Sequence, residues 1–342
     1  MTGQYAQYGQ YMKRGARFAV DGINTRGGVN GRKLKLIVED DACDRTQAVE
    51  VAARLVKQQV ALVVGHHCAS ASIAAAPIYA AAGIIMISPS TTDPQLTDKR
   101  AGATIFRLAP RKDAEGPAIG NYIARAFAGK RVAILHDRTA VGIQLAADTK
   151  KAMTAAGLAE TFYSGFIAGE PDYTKLVRDL RAQRIDAVFL GAYPTEATLI
   201  LRALRVEGMA TVVVGSTLLA TKDFYTGANA YLNELVIYPG GFASDTVDPA
   251  VRSEPPGPHD ILVGSPDVLN NAMTAVRVWA QAANALKEAA PTGTAVSNAI
   301  QAGSFDFRPG LGQFGFTKKG DVTIDFYRMI TWIDGDNQKP AP

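Results

Sequence analysis

Two hydroxyl-rich turns are the parts of this sequence best suited to bind a ligand. Residues 65–72 (GHHCASAS) follow the apolar run ALVV and lead into an alanine-rich stretch that is typical of a helix. Residues 88–92 (SPSTT) follow the next apolar run, GIIMI. Unpaired N–H groups and the dipole at the start of a helix favour an anion. The two turns therefore predict a cradle for a carboxylate, with ordinary helix capping by Ser70 or Ser72 as the alternative.

Motifs of the common catalytic sites are absent from the sequence. It has no Gly-x-Ser-x-Gly elbow, no phosphate loop ending in Gly-Lys-Ser/Thr and no His-Glu-x-x-His. Asp40 and Asp41 are adjacent acids, but on an extended chain their side chains face opposite ways. The four histidines do not have the spacing of metal ligands. These absences favour a binding protein without catalytic residues, metal or cofactor over an enzyme.

Length and composition are those of a folded protein with two domains. A chain of 342 residues is long for one core, and its 47% hydrophobic and 20% charged residues are typical of globular proteins. The net charge of +4 is not gathered into a basic block, so nucleic acid is not an expected partner. No apolar run approaches the roughly 18 residues of a membrane span, and no signal-peptide pattern opens the chain. We expect a soluble protein whose secretion signal, if there was one, has been removed.

Strand and helix patterns alternate along both halves of the chain. The predicted strands are 34–39, 61–64, 84–87, 104–108, 131–135, 159–166, 187–190, 211–214 and 235–238. The predicted helices are 10–26, 46–59, 72–82, 113–127, 142–156, 173–183, 195–206 and 267–289. Such alternation indicates mostly parallel sheets with helices on both faces, and its repetition predicts two α/β lobes. An irregular loop is expected at 244–265, and a closing strand or hairpin at 322–332.

The only two cysteines, Cys43 and Cys68, each come just after a predicted strand. Because both lie at the same end of neighbouring strands, a disulfide between them is geometrically reasonable. It would stabilise the fold by about 3 kcal/mol in the chain-entropy model and would indicate an oxidising compartment. Two free buried thiols are the alternative.

Several short motifs follow one another in order along the chain. They are AQYG at 6–9, NTRGGVNGRKL at 24–34, DDACD at 40–44, QAV at 47–49, GHHC at 65–68, IMISP at 85–89, HD at 136–137, GFIAGEPDY at 165–173 and KGD at 319–321. Each is weak alone. Together they resemble the leucine/isoleucine/valine-binding protein family, the periplasmic solute receptors of ABC importers. The resemblance covers nearly the whole chain and is strongest before residue 90.

This resemblance implies a type I periplasmic-binding fold. In that fold two doubly wound α/β lobes are joined by three crossover strands, and a ligand is caught between them by hinge closure. Lobe 1 is expected at 1–111 and 239–325, and lobe 2 at 112–238 and 326–342. The family pairs the cysteines that match Cys43 and Cys68, and normally has a strand before the segment matching Met1. That strand is expected either ahead of this numbering or from another source.

The resemblance also implies which residues contact the ligand. They are Tyr8, His67, Cys68, Ala69, Ser70, Ser90, Thr91, Thr92, Val141, Tyr193 and Thr217. Thr92 matches a threonine that holds the ligand carboxylate, and Tyr8 and Tyr193 match tyrosines that line the cleft. Alternatively, Thr92 is only a helix cap and the two tyrosines are core aromatics.

Several of these positions depart from the family. Ala69 replaces a serine, which leaves only its backbone N–H for the carboxylate. Ser90 and Thr91 stand where the family has alanines. Val141 replaces an aromatic wall, which should enlarge the pocket. His67 replaces a leucine beside the ligand, unless it is simply a packed histidine.

Thr217 is the sharpest departure, because the family has there a glutamate that pairs with the ligand ammonium. A buried ammonium without an acid costs several kcal/mol. The substitution therefore predicts that the ammonium requirement is relaxed and that aromatic or other organic acids become candidate ligands. A different acid, Glu196 or Asp223, is the alternative partner for an amine.

We therefore expect a monomeric periplasmic receptor that delivers a small carboxylate to the permease subunits of an ABC importer, without catalysis. A classical branched-chain amino-acid receptor with a shifted ammonium partner is one alternative. Another is a ligand sensor that controls signalling or transcription. A third is an α/β enzyme such as a sugar or acid kinase, although the phosphate loop of such an enzyme is lacking.

Overall fold

The computed structural model describes residues 2–3, 5–232, 236–240, 268–306, 313–324, 326–332 and 338–341. The described chain divides into two compact units. Unit 1 contains residues 2–112 and 268–324 of this set, and unit 2 contains residues 113–240 and 326–341. The loop predicted at 244–265 lies outside the described residues. None of the helices described is both long and apolar enough to cross a bilayer.

The elements alternate much as the sequence predicts. The helices are α1 (Ala6–Thr25), α2 (Arg45–Lys57), α3 (Ala69–Ala81), α4 (Gln95–Asp98), α5 (Glu115–Ala126), α6 (Ala140–Ala155), α7 (Thr174–Ala182), α8 (Pro194–Val206), α9 (Lys222–Leu232), α10 (Val268–Ala285) and α11 (Gly293–Ala302). The strands are β1 (Leu62–Val64), β2 (Ile85–Ser88), β3 (Ile105–Arg107), β4 (Val132–His136), β5 (Phe162–Gly165), β6 (Ala187–Gly191), β7 (Val212–Gly215), β8 (Val236–Gly240), β9 (Arg328–Trp332) and β10 (Gln338–Pro340). Short 3₁₀ turns lie at Lys112–Ala114 and Thr217–Leu219.

Unit 1 has a short parallel sheet between two layers of helices. Its strands lie in the order β1-β2-β3, with Val63 opposite Met86 and Ile87 opposite Phe106. Successive strand residues point to opposite faces. Ile87 and Phe106 accordingly pack with α1, α10 and α11, whereas Val63 and Met86 pack with α2 and α3. Because helices cover both faces, the strands are apolar at almost every position.

The prediction of a strand at Leu34–Glu39 is wrong. Within the described part of the chain, this segment takes part in no strand ladder. Leu34 and Leu36 do pack against the core, so the alternating apolar pattern correctly indicates burial. What the segment lacks among the described residues is a partner strand, although the main chain of Leu34 hydrogen-bonds to the side-chain amide of Asn24. A groove of about 870 Å³ lies along it and along β1, with Val63 and Trp279 among its lining residues. Apolar alternation without a ladder of main-chain hydrogen bonds does not make a strand.

Unit 2 has a seven-stranded sheet in the order β10-β9-β8-β7-β6-β4-β5. The strands from β4 to β8 run parallel, and β9 and then β10 are added antiparallel at one edge. Helices α5 and α6 cover one face, and α7, α8 and α9 cover the other. The chain leaves β4 for β5 on one side and then crosses to β6 on the other. The strand order therefore reverses between β4 and β6, and ligands of such sheets bind at the carboxyl ends beside the reversal.

Element ends differ modestly from the predictions. The first helix begins at Ala6, four residues before the predicted start at Gln10. The long helix predicted at 267–289 is α10. The closing element predicted at 322–332 is a strand only from Arg328, and Val322 forms an isolated bridge with Phe316.

Candidate ligand-binding site

Cys43 and Cys68 form a disulfide, with their Cα atoms 5.4 Å apart. The predicted pairing is confirmed. Cys68 is the N-cap residue of α3, so the bond ties the start of this helix to the turn that precedes α2. The disulfide thereby holds the end of the turn after β1 against a segment 25 residues earlier in the sequence.

A row of interacting polar side chains also holds the turn after β1. His66 is buried, its Nδ1 contacts the carboxylate of Asp41, and its Nε2 lies 3.1 Å from the hydroxyl of Tyr79. Burial disfavours ionisation of Asp41, but hydrogen bonds from His66 and from the Cys43 N–H outweigh it and hold the pKa of Asp41 below its ordinary value. Because these three side chains interact with one another, their role is to stabilise the turn and not to contact a ligand.

The buried hydroxyls of the two predicted turns bind the protein itself. The hydroxyls of Ser72 and Ser88 donate to the His66 carbonyl oxygen at 3.1 and 3.2 Å. The hydroxyl oxygens of Ser72 and Thr91 lie 2.6 Å apart. Capping of α3 by Ser70 or Ser72 is wrong, because α3 begins at Ala69 and both serines lie inside it. These hydroxyls hold the two turns together.

Arg107 holds the second turn from the opposite side. This arginine is fully buried and forms an ion pair with Asp321. Its Nη1 donates to the carbonyl oxygens of Asp93 at 2.6 Å and Thr91 at 3.4 Å. The main chain of residues 91–93 is therefore positioned by a charged side chain, which makes it a rigid platform.

The start of α3 has no side-chain cap among the described residues. Ala69 is half-buried and Ser70 is exposed, so this helix end reaches the surface of unit 1. Thr92 is half-buried and is not a helix cap, because the N-cap of α4 is Pro94. The carbonyl oxygen of Thr92 accepts from the Lys112 N–H at 3.0 Å. Uncapped N–H groups at the end of a 13-residue helix suit an anion.

Aromatic side chains lie beside this helix end. The rings of Tyr8 and His67 stack with centroids 4.6 Å apart, and Tyr5 lies 5.7 Å from His67. His67 Nδ1 lies 3.0 Å from the hydroxyl of Ser90. Burial lowers the pKa of His67, against a weaker opposing effect of Asp41, so the ring is neutral at pH 7. The structure thus brings three predicted site residues, Tyr8, His67 and Ser90, into direct contact.

Three further predicted residues lie at one edge of the sheet of unit 2. Val141 follows β4, Tyr193 follows β6, and Thr217 follows β7. The carboxyl ends of parallel strands meet at a common edge, and β4 and β6 flank the reversal of strand order. Val141 is 55% exposed and Tyr193 is 45% exposed. The interpretation of Tyr193 as a core aromatic is therefore wrong.

Glu115 is a residue of this region that nothing in the sequence pointed to. It opens α5, and its Oε1 accepts a hydrogen bond from the Thr217 N–H at 2.7 Å. Burial raises the pKa of Glu115, although hydrogen bonds from Thr217 oppose the shift. The two residues are 102 positions apart in sequence, so no local pattern could have connected them.

The acids considered as replacements at position 217 are placed differently. Glu196 accepts from the Gly169 N–H at 3.2 Å and so holds the loop after β5. The side chain of Asp223 lies outside the described structure. Glu115 is therefore the acid that the structure shows bonded to Thr217. No cluster of three or more His, Cys, Asp or Glu able to bind a metal ion occurs within the described ranges.

The family model described as periplasmic binding protein matches residues 1–337. This chain belongs to the periplasmic binding protein family. It is 33% identical over 337 residues to a leucine-, isoleucine-, valine-, threonine- and alanine-binding protein of Pseudomonas aeruginosa, covering 97% of this chain and 87% of the relative. It is 32% identical to Leu/Ile/Val-binding protein homolog 2 of Brucella abortus strain 2308, covering 99% and 90%. A solved structure from Rhodospirillum rubrum, assigned to a branched-chain amino acid ABC transporter, superposes with a TM-score of 0.79 at 23% identity, covering 99% and 96%.

These similarities confirm the predicted family and the type I periplasmic-binding fold. Members of the family are solute-binding proteins and not enzymes, so the alternative of an α/β kinase is wrong. The family name implies a periplasmic location. The predicted ligand residues, lobe boundaries and hinge stay predictions.

Proposed function

We propose that this chain is the substrate-binding protein of an ABC importer of the branched-chain amino-acid type. It captures a small carboxylate, either an amino acid or an aromatic or other organic acid, by hinge closure and delivers it to the permease subunits. The relatives whose names specify branched-chain amino acids support this class of importer. The observation that carries the proposal is the uncapped start of α3.

A carboxylate suits this helix end for two physical reasons. The helix dipole places about half a positive charge there, and the first N–H groups of the helix have no partners within the helix. The disulfide at Cys68 and the hydroxyl bonds to the His66 carbonyl oxygen hold the turn in place. A site that is already rigid loses little conformational entropy when the ligand binds.

The aromatic side chains favour a ligand with an apolar or aromatic body. Stacked Tyr8 and His67 present ring edges and faces next to the uncapped helix end. Aromatic surfaces bind apolar groups through burial and through offset or edge-to-face ring contacts. In unit 2, the exposed side chains of Val141 and Tyr193 supply further apolar surface beside the strand-order reversal.

Thermal denaturation with matched compounds tests this function. Leucine, phenylalanine, phenylpyruvate and benzoate each carry the proposed carboxylate, whereas leucinamide and phenylalaninamide do not. At 100 times its Kd, a ligand stabilises the folded state by about 2.7 kcal/mol, which raises the Tm by several degrees. We expect at least one acid to raise the Tm and its amide to have no effect. Equal stabilisation by an acid and its amide, or no stabilisation by any acid, contradicts the proposal.

A further inference from the structure

Glu115 is an acid without a basic partner among the described residues. Within the part of the chain that the structure describes, its hydrogen bonds come from Thr217 alone. Two other acids of unit 2 do have cationic partners: Glu207 pairs with Arg178 and Arg181, and Glu160 with Lys150. Glu196 and Asp137, like Glu115, accept hydrogen bonds from neutral groups instead. When a carboxylate is partly buried without a cation beside it, part of the free-energy cost of burying its charge is not compensated.

The position of Glu115 at the start of α5 compensates only part of that cost. The helix dipole and the Thr217 N–H favour its negative charge, but burial still raises its pKa above the ordinary value. A cation placed beside the carboxylate would remove the remaining penalty, because opposite charges within hydrogen-bonding distance favour the ionised form. The protein supplies no such cation among its described side chains. A ligand ammonium is a cation of suitable size.

Thr217 ties Glu115 to the predicted ligand position of unit 2. Thr217 follows the carboxyl end of β7, at the edge of the sheet that also carries Val141 and Tyr193. Thr217 itself is neutral, but its hydrogen bond to Glu115 places a carboxylate beside this position. The acid is contributed by a different helix from a distant part of the sequence.

We propose, on the basis of the solute-binding function above, that Glu115 binds the ammonium group of the ligand. The preferred ligands are then α-amino acids, and the corresponding keto acids bind more weakly because they leave the Glu115 carboxylate without a cation. This narrows the class of small carboxylates and favours the receptor with a shifted ammonium partner over one that has dropped the ammonium.

The test compares leucine with 4-methyl-2-oxopentanoate, and phenylalanine with phenylpyruvate, by calorimetric titration. The members of each pair share the carboxylate and side chain and differ at the α carbon, which carries an ammonium in one and a keto oxygen in the other. In the unaltered protein we expect the better amino acid to bind at least about tenfold more tightly than its keto analogue. Glu115→Gln keeps the size and the ability to accept from Thr217, and should weaken the amino acid about 10- to 100-fold while changing the keto acid by less than about threefold.

Two other substitutions make the test selective. Glu207→Gln removes an acid of unit 2 that is already paired with arginines, and should leave both affinities unchanged. Glu196→Gln tests the other acid of this region, and should also preserve the ratio of the two affinities. Because the ratio is measured within one variant, a general loss of folded protein does not imitate the effect.

The outcomes separate the two proposals. If amino and keto acids bind equally well, or if Glu115→Gln weakens both alike, then Glu115 is only a tether for the Thr217 loop and the inference is overturned, while carboxylate binding stands. If Glu196→Gln rather than Glu115→Gln abolishes the preference, the inference is overturned in favour of Glu196. If none of the four acids binds to the unaltered protein, the proposed function fails and the inference fails with it.

Discussion

At the scale of single residues, His67 illustrates how one substitution changes a binding surface. A histidine here stacks on Tyr8 and contacts the Ser90 hydroxyl, which an aliphatic side chain cannot do. Burial lowers the pKa of His67, so the ring is uncharged at neutral pH in the folded protein. The side chain is thus aromatic surface with a hydrogen-bonding nitrogen, suited to contact an organic ligand without adding charge.

His67 should make the unliganded protein less stable in mild acid. Its folded pKa is lowered by burial, so between about pH 6.5 and that lower pKa the unfolded chain binds more of a proton than the folded chain. Stability is then fully present above pH 6.5 and falls as the pH drops, by at most about 1.4 kcal/mol per pH unit for one proton. Urea unfolding at pH 7.5 and 5.5 should show a smaller loss for His67→Gln than for the parent.

A second histidine also contributes to the acid sensitivity. Burial also lowers the pKa of His136, so His67→Gln should retain part of the acid sensitivity. Equal losses in the parent and in His67→Gln would contradict the assignment to His67.

The sequence identified the residues whose types were unusual and not those whose contacts were distant. Thr217 stands out because an uncharged residue occupies a position at which an acid is expected. Glu115 does not stand out, because its relation to Thr217 exists only after β7 and α5 have packed in one unit. Likewise Ser72 is a plausible cap by pattern, but the fold brings Thr91 and the His66 carbonyl oxygen within its reach.

At the scale of elements, the turn after β1 is held by several independent contacts. Its Cys68 end is fixed by the disulfide to Cys43, and its centre by the contacts of His66 with Asp41 and Tyr79. The start of α3 inherits this rigidity because Cys68 is its N-cap. A helix end that must hold an anion in a fixed geometry benefits from such support.

Removing the disulfide should lower stability and weaken carboxylate binding together. The double variant Cys43→Ser/Cys68→Ser should lose about 3 kcal/mol of unfolding free energy in the chain-entropy model. It should also bind the best carboxylate more weakly, because the start of α3 is no longer tethered to the turn before α2. Urea unfolding and titration calorimetry measure the two effects.

Dithiothreitol supplies the control for this pair of effects. It should destabilise the parent and leave the double variant unchanged, since the chain has no other cysteine. Parent protein that keeps its full stability after thiol titration has verified reduction would contradict a stabilising role of the bond.

At the scale of the whole molecule, periodicity predicted the α/β class and the repetition of the architecture. Runs such as VAIL in β4 and AVFL in β6 are apolar at every position, as a sheet covered on both faces requires. The same reasoning failed for Leu34–Glu39, because burial can be read from one segment but pairing depends on a second. The reversal of strand order between β4 and β6, which orders the site residues of unit 2, is likewise a property of pairing.

The groove beside β1 should make residues 33–40 the most protease-sensitive stretch of the described chain. Lys33 and Lys35 are exposed and lie in a segment without ladder hydrogen bonds, so little has to open before trypsin can bind. Brief digestion followed by mass spectrometry should find the first cuts after these lysines, ahead of sites such as Lys57 in α2. Earlier cleavage at Lys57 would contradict this.

The same groove bears on how the protein behaves in concentrated solution. The outer edge of β1 carries main-chain groups that no described strand pairs with, and such an edge can accept a strand from a neighbouring molecule. Such pairing favours association of copies of this chain as the protein concentration rises. Residues 33–39, which line the groove opposite β1, include none of the predicted ligand residues.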